Sequence, residues 1–432
     1  MRALWLVLAV VACEKAAETR LTPPVGDARA PIDARVRRDR EDELEVRVEA
    51  LDRLRQRIAS TKRQRSPVEA PAELTNAYVD YQFAYGYAQL GRSDRARALV
   101  AAARRALAGD LADPVHGYLV AALEARIEQA IANTHFAAPL PEAVLARYAA
   151  LDRTERYKAD RFREVSWILS SIERPDPIGA FSKKLADARG LEVSAIRVIA
   201  DPVARRRQIA LLPELAVRAA SSEKLVLLDS CLDLAPELAK PDGSSVVSRV
   251  RQLVATVPDA YRGALQAKLL VVAEYFGRAE LISPLVVGVR DVAPFWGDAQ
   301  PLFETLRLLR RTGKHSELTD LLASVEPAIA KQGLPVRLVW AGGIASDGDR
   351  KRAQVIFDEA HAALPTIANI HHQRRMVRAI AEGYASAPAE LAIAGVERLT
   401  DGFAETTDGF STNTHFALSV VDYVESLVLG LL

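Results

Sequence analysis

Only two of the 432 residues are cysteine, Cys13 and Cys231, so no disulfide framework staples this chain. A surplus of one charge is missing too. The 57 Lys and Arg face 56 Asp and Glu, for a net charge of +1. A nucleic-acid partner is thereby disfavoured, because a phosphate backbone is held by an excess of cations. Beyond the N-terminal dozen residues there is no run of ~20 apolar residues, the length a membrane-spanning helix needs. From Pro71 onward strand signals are nearly absent. The sequence has no short alternating runs there, and no Asn-Gly or Asp-Gly turns between β-branched stretches.

Catalytic motifs are lacking as well. The chain contains no HExxH, CxxC, P-loop or G-x-S-x-G elbow. His371 and His372 are adjacent on an expected helix, so they point to different faces and do not chelate one ion. The glycine-rich AGGIASDGD has no strand before it and does not read as a phosphate loop. Asp39, Glu41, Asp42, Glu43 and Glu45 read as a solvated helix face. Cys231, in KLVLLDSCLDLAPEL, reads as a buried, inert thiol on an apolar helix. No enzyme, cofactor or metal site is expected.

What is present is apolar residue in quantity. Half the chain is hydrophobic and 26% is charged, enough for a large core or an extended array. The first residues, MRALWLVLAVVACEK, have Arg2 as a basic start and an apolar stretch from Ala3 to Val11 that is too short to span a bilayer. Val10-Val11-Ala12-Cys13 resembles the lipobox of bacterial lipoproteins. That resemblance implies cleavage before Cys13 and acylation of Cys13, giving a lipid-anchored protein of the cell envelope. Glu14 stands where inner-membrane lipoproteins of enteric bacteria carry aspartate, which points to the outer membrane, facing the periplasm. The alternatives are a buried N-terminal helix or a soluble cytoplasmic protein.

The polar stretch that follows, with Pro23, Pro24, Gly26 and Pro31, reads as a tether. The expected organisation is a signal peptide over 1–12, a tether over 13–34, a charged amphipathic helix over 35–66 and a helical-repeat domain over 67–432. In the charged helix Leu44, Val48, Leu51, Leu54 and Ile58 form an apolar stripe. It spans about two heptads, fewer than a coiled coil sustains, so docking on the first repeat is expected. Pro114, Pro258, Pro301 and Pro365 read as helix starts.

The repeat shows in the glycines. Gly277, Gly313 and Gly348 close apolar helices at intervals of 36 and 35 residues. Each is followed by apolar residues at +5, +9 and +12, one face of a second helix: Ile282, Val286 and Val289; Leu318, Leu322 and Val325; Ala353, Phe357 and Ala360. VRLVWAGGIASDGDRKRAQVIFDEAHAALP resembles the tetratricopeptide repeat through Trp340, Ala341, Ile344, Gly348, Ala353, Phe357, Ala360 and Pro365. A second copy carries Phe83, Ala84, Tyr87, Gly91, Ala96, Val100 and Ala103 in the same register. The resemblance implies an all-α fold, an α-solenoid of antiparallel helix pairs with a concave binding groove.

The expected function is therefore a scaffold that binds a protein or peptide partner, with Arg337, Asp80 and Gln82 as candidate groove residues. An enzyme or small-ligand site in the solenoid cavity is the alternative. NTHFA occurs twice, at Asn133–Ala137 and Asn413–Ala417, at the end of one helix and the start of the last. The last helix, ending LVLGLL, is strongly apolar and is expected to dock on the pair before it.

Overall fold

The computed structural model describes residues 34–60, 72–133, 138–166, 168–169, 196, 198–199, 201–296, 298–401 and 413–432. Cys13 and the sequence motif around it lie outside the described residues. The chain divides into two compact units, Met1–Glu45 and Val46–Leu432. Of the first unit the described part is the opening of one helix.

The fold is all-α, a solenoid of packed helix pairs, with no strand among the described residues. The helices are α1 (Ala34–Ser60), α2 (Ala72–Gln89), α3 (Ser93–Ala106), α4 (Pro114–Ile131), α5 (Glu142–Ala150), α6 (Arg153–Val165), α7 (Pro202–Arg218), α8 (Ser221–Leu234) and α9 (Lys240–Val254). They continue as α10 (Asp259–Tyr275), α11 (Ile282–Asp291), α12 (Gln300–Arg311), α13 (His315–Ile329), α14 (Leu334–Ser346), α15 (Arg350–Ala363), α16 (Ile370–Ala385), α17 (Ala389–Asp401) and α18 (Asn413–Leu431).

Side-chain oxygens start several of these helices. Asp113 accepts from the Val115 and His116 amides ahead of Pro114, and Asp201 does the same for Val203 and Ala204 ahead of Pro202. Glycine ends four of them. Gly91, Gly277, Gly313 and Gly348 all have positive φ, 73°, 73°, 70° and 113°. In each case the next amide reaches back to the helix: Arg92 to Tyr87 O, Arg278 to Ala273 O, Lys314 to Leu309 O and Asp349 to Ile344 O, at 2.8–2.9 Å. This left-handed closure satisfies carbonyls that a helix end leaves orphaned, and a side chain there would be strained. The four glycines expected to turn the pairs therefore do so by one shared geometry. Pro365 differs from expectation. It lies in a single 3-10 turn, Leu364–Thr366, that follows α15, and the next helix begins only at Ile370.

All nine residues of the +5, +9, +12 pattern are buried, as are the small residues Ala84, Ala96, Ala341 and Ala353. Trp340 and Phe357 are buried too, and the Trp340 Nε1–H donates to Leu322 O at 3.1 Å across to the preceding pair. Val100 is only half-buried, and its neighbour Leu99 fills the interface instead. Helices α14 and α16 approach each other closely. A Cβ on Gly342 would lie 1.9 Å from Gly383 O, so these backbones meet where neither residue carries a side chain.

From α8 onward the first helices of the pairs pack in succession, α8 on α10, then α12, α14, α16 and α18. The second helices α11, α13, α15 and α17 lie against them as an outer layer. At the other end α2 packs on α3 and α4, and α4 on α5 and α6. Within Val46–Leu432 the packing then closes on itself. Helix α18 lies against α16 and α17, as expected for a docked last helix, but equally against α2 and, more lightly, α6. The α1 residues Val48, Leu51, Leu54 and Ile58 are buried, so the stripe docks rather than standing open. Arg47 seals the joint. Its guanidinium donates to Leu431 O and Ala387 O, both at 2.9 Å, placing a cation on carbonyls at and beyond the ends of α18 and α16.

Candidate functional site

The three candidate groove residues do not converge on an open face. Asp80 holds Arg55 at 3.2 Å, and Arg337 holds Glu359 of its own pair through two bonds of 3.1 and 2.5 Å. Gln82 is fully buried, and its amide donates to Tyr78 O one turn back at 3.4 Å. It presents nothing at a surface, because α2 is covered on one side by α4 and on the other by α18. His372 is exposed on α16, and its amide caps onto the Asn369 side chain at 3.2 Å. Asn133 closes α4 with a positive φ of 52°, and Asn413 opens α18. Cys231 is fully buried, and burial raises its thiol pKa. Among the described residues no cluster of His, Cys, Asp and Glu could hold a metal, and no helix is long and apolar enough to cross a membrane.

Two features stand out instead. The first is on the outside. Of nine exposed large apolar side chains among the described residues, four lie on α7: Val203 at 72%, Leu211 at 46%, Leu215 at 41% and Val217 at 44%. The opposite side of α7, Ile209, Leu212 and Ala216, is buried in the array. Beside the start of this helix a cleft of about 460 Å³ is lined by Ala143, Ala146, Ala149 and Ala150 of α5, with Glu142, Pro202 and Arg205 at its edge. Arg205 is locked in place, bonding Glu237 at 3.0 Å, Glu142 at 2.6 Å and Ile199 O at 3.1 Å. Glu142 also pairs with Arg206 at 2.9 Å, and Glu214 with Arg249 at 3.3 Å. Arg207 and Arg218 are exposed and form no ion pair with any described residue. The surface is thus apolar, small-residue lined and left with unmatched positive charge.

The second feature is enclosed. Arg374, Arg378 and Glu382 of α16 meet Asp422 and Glu425 of α18, near Tyr85 of α2 and Arg307 of α12. Glu425 is 3% exposed. Its Oε1 accepts from the Ile168 amide at 2.6 Å and Ser166 Oγ at 3.3 Å, and its buried Oε2 has no hydrogen-bond partner. Burial pushes its pKa up to about 8 against the pull of Arg378 and the Ile168 amide. Burial opposes the charge on Arg378, but Glu382, Asp422 and Glu425 together raise its pKa. A similar group lies between α8 and α10, where Lys268 bonds Asp229 at 2.6 Å and Asp233 at 3.1 Å.

The family described as a domain of unknown function, DUF8586, matches residues 74–432. The chain belongs to this family. The match begins at α2 and runs through α18, so both features above, and the closure of α18 on α2, fall inside the DUF8586 region. No curated protein and no solved structure matches the chain.

Proposed function

We propose that this protein is a lipid-anchored scaffold of tetratricopeptide-like helix pairs in the cell envelope, held at the outer membrane through Cys13 and facing the periplasm, that binds a protein or peptide partner. The observation that carries the reading is the outer surface of α7. A cluster of exposed Val and Leu side chains beside a preformed cleft is what a partner helix or peptide covers. Arg207 and Arg218 favour a partner with acidic as well as apolar side chains. The enclosed guanidinium and carboxylate groups are engaged mainly with one another and with backbone, so we place binding outside the array.

Replacing Leu211 and Leu215 together with serine tests this. Each contributes an apolar side chain whose full burial is worth about 1.5–3 kcal/mol, so partner capture from solubilised envelope should fall tenfold or more. Helix content and melting temperature should hold, because both side chains already face water. Undiminished capture would remove α7 as the binding face.

The anchor is tested separately. Cys13→Ser should abolish labelling by a clickable fatty acid and shift the protein from the membrane to the soluble fraction. A serine variant that still labels and still sediments with membranes would end the lipoprotein reading.

A further inference from the structure

The joint between α18 and the rest of the array is built around one carboxyl group. Glu425 sits midway along the buried part of α18, where residues from Val421 onward are enclosed except for partly covered Asp422 and terminal Leu432. Its Oε1 ties α18 to the segment that follows α6, accepting from the Ile168 amide and Ser166 Oγ. That segment is itself buried, with Ile168 at 2% and Leu169 at 4% exposure. Oε2 faces the interior with no donor or acceptor.

We propose that this seam closes in a proton-dependent way: Glu425 is accommodated in the buried joint beside Ser166 and Ile168 as the neutral acid, and ionisation, which puts an incompletely bonded charge there, loosens α18 from α2 and α6.

The charges around the group set the balance. From α16, Arg378 attracts a Glu425 carboxylate, while Asp422 one turn back on α18 repels it. Arg378 is shared, since its Nε meets Glu382 at 3.4 Å and its Nη1 meets Asp422 at 3.8 Å. Arg374 interacts with Asp422, and Tyr85 of α2 interacts with Arg307, Arg126 and Glu425. On α17, Glu390, Glu397, Arg398 and Asp401 pair away from the seam with Arg350, Arg53, Asp358 and Arg57. On α6, Asp160 accepts from Tyr148 and Arg156 donates to Leu151 O. No cation is thus dedicated to Glu425, and burial of a half-unsatisfied carboxylate outweighs the attraction.

The folded group titrates near 8, above the ordinary carboxylate value of 4.5. Between those values the folded chain holds a proton that the unfolded chain has released, so the seam's contribution is complete at low pH and is lost as pH rises through about 8.

Hydrogen exchange of α18, corrected for intrinsic rates and compared at pH 6.5 and 9, tests the inference. In the wild-type chain, protection over residues 421–431 should drop tenfold or more at the higher pH, with α10 unaffected. Glu425→Gln, an uncharged stand-in for the protonated acid, should remove the drop. Asp422→Asn, which deletes the repelling neighbour, should move the midpoint to lower pH. Wild-type protection that does not change, a Gln variant that follows the wild type, or an unmoved midpoint in Asp422→Asn would each overturn it.

Discussion

Lys268→Met should destabilise the protein by about 3–5 kcal/mol, read as a lower denaturant midpoint at unchanged slope. Lys268 is 3% exposed on α10, and its ammonium lies 2.6 and 3.1 Å from Asp229 and Asp233, one turn apart on α8. Methionine fills the same space and keeps the apolar stem packed. The cost therefore comes from what stays behind, a buried carboxylate at Asp233 and a partly covered one at Asp229 with their shared ammonium removed. The same logic predicts a rescue. Adding Asp229→Asn and Asp233→Asn to Lys268→Met leaves no uncompensated charge and should recover most of the loss, since exchanging a whole buried ion group for neutral residues is often close to neutral. A single Lys268→Met change costing under about 1 kcal/mol would mean that water reaches these carboxylates.

Phe357→Ala is the second large effect, about 3–5 kcal/mol. Phe357 is fully buried on α15, and its ring stacks on Tyr384 of α16 with centroids 4.1 Å apart and planes 12° from parallel. The Tyr384 hydroxyl in turn shares a 2.9 Å hydrogen bond with His361 Nε2, and burial together with Arg398 lowers the His361 pKa to about 4, so the imidazole is neutral. Truncation leaves a cavity beneath this stack and beside the contact of Gly383 with Leu338 O. In an open array the damage would melt the neighbouring pairs first. Here α16 carries α18, and α18 carries α2, so fluorescence and circular dichroism should report one shared transition. A separate early transition confined to α14–α16 would show that the closure does not couple the two ends.

Much of the repeat was legible because its cause is local. A left-handed helix end selects glycine at the residue concerned, so Gly91, Gly277, Gly313 and Gly348 announced their turns. The apolar spacing behind each announced a buried face, and Trp340 and Phe357 fell on it. Pro365 misled because proline suits the start of a 3-10 turn as well as that of a long helix. The closure was half legible. The apolar last helix demanded cover, but nothing in its residues names α2 as the partner, since hydrophobic burial is not directional. The Lys268 group does have a signal in the sequence. A lone lysine in the apolar run ALQAKLLVVA needs a buried anion, and Asp229 and Asp233 are four apart on the helix packed against it. The α7 surface was not legible, because exposure at Leu211 and Leu215 is decided by which neighbours cover them, not by their own pattern.

That α18 rests on α2 also sets an order of events during synthesis. A chain emerging from the ribosome completes α2 early and α18 after every other described helix. Until α18 is made, the side of α2 that it covers lacks this cover, and α16 lacks it over the shorter stretch between the two. The apolar surface of α2 that α18 covers is therefore exposed until α18 has been made.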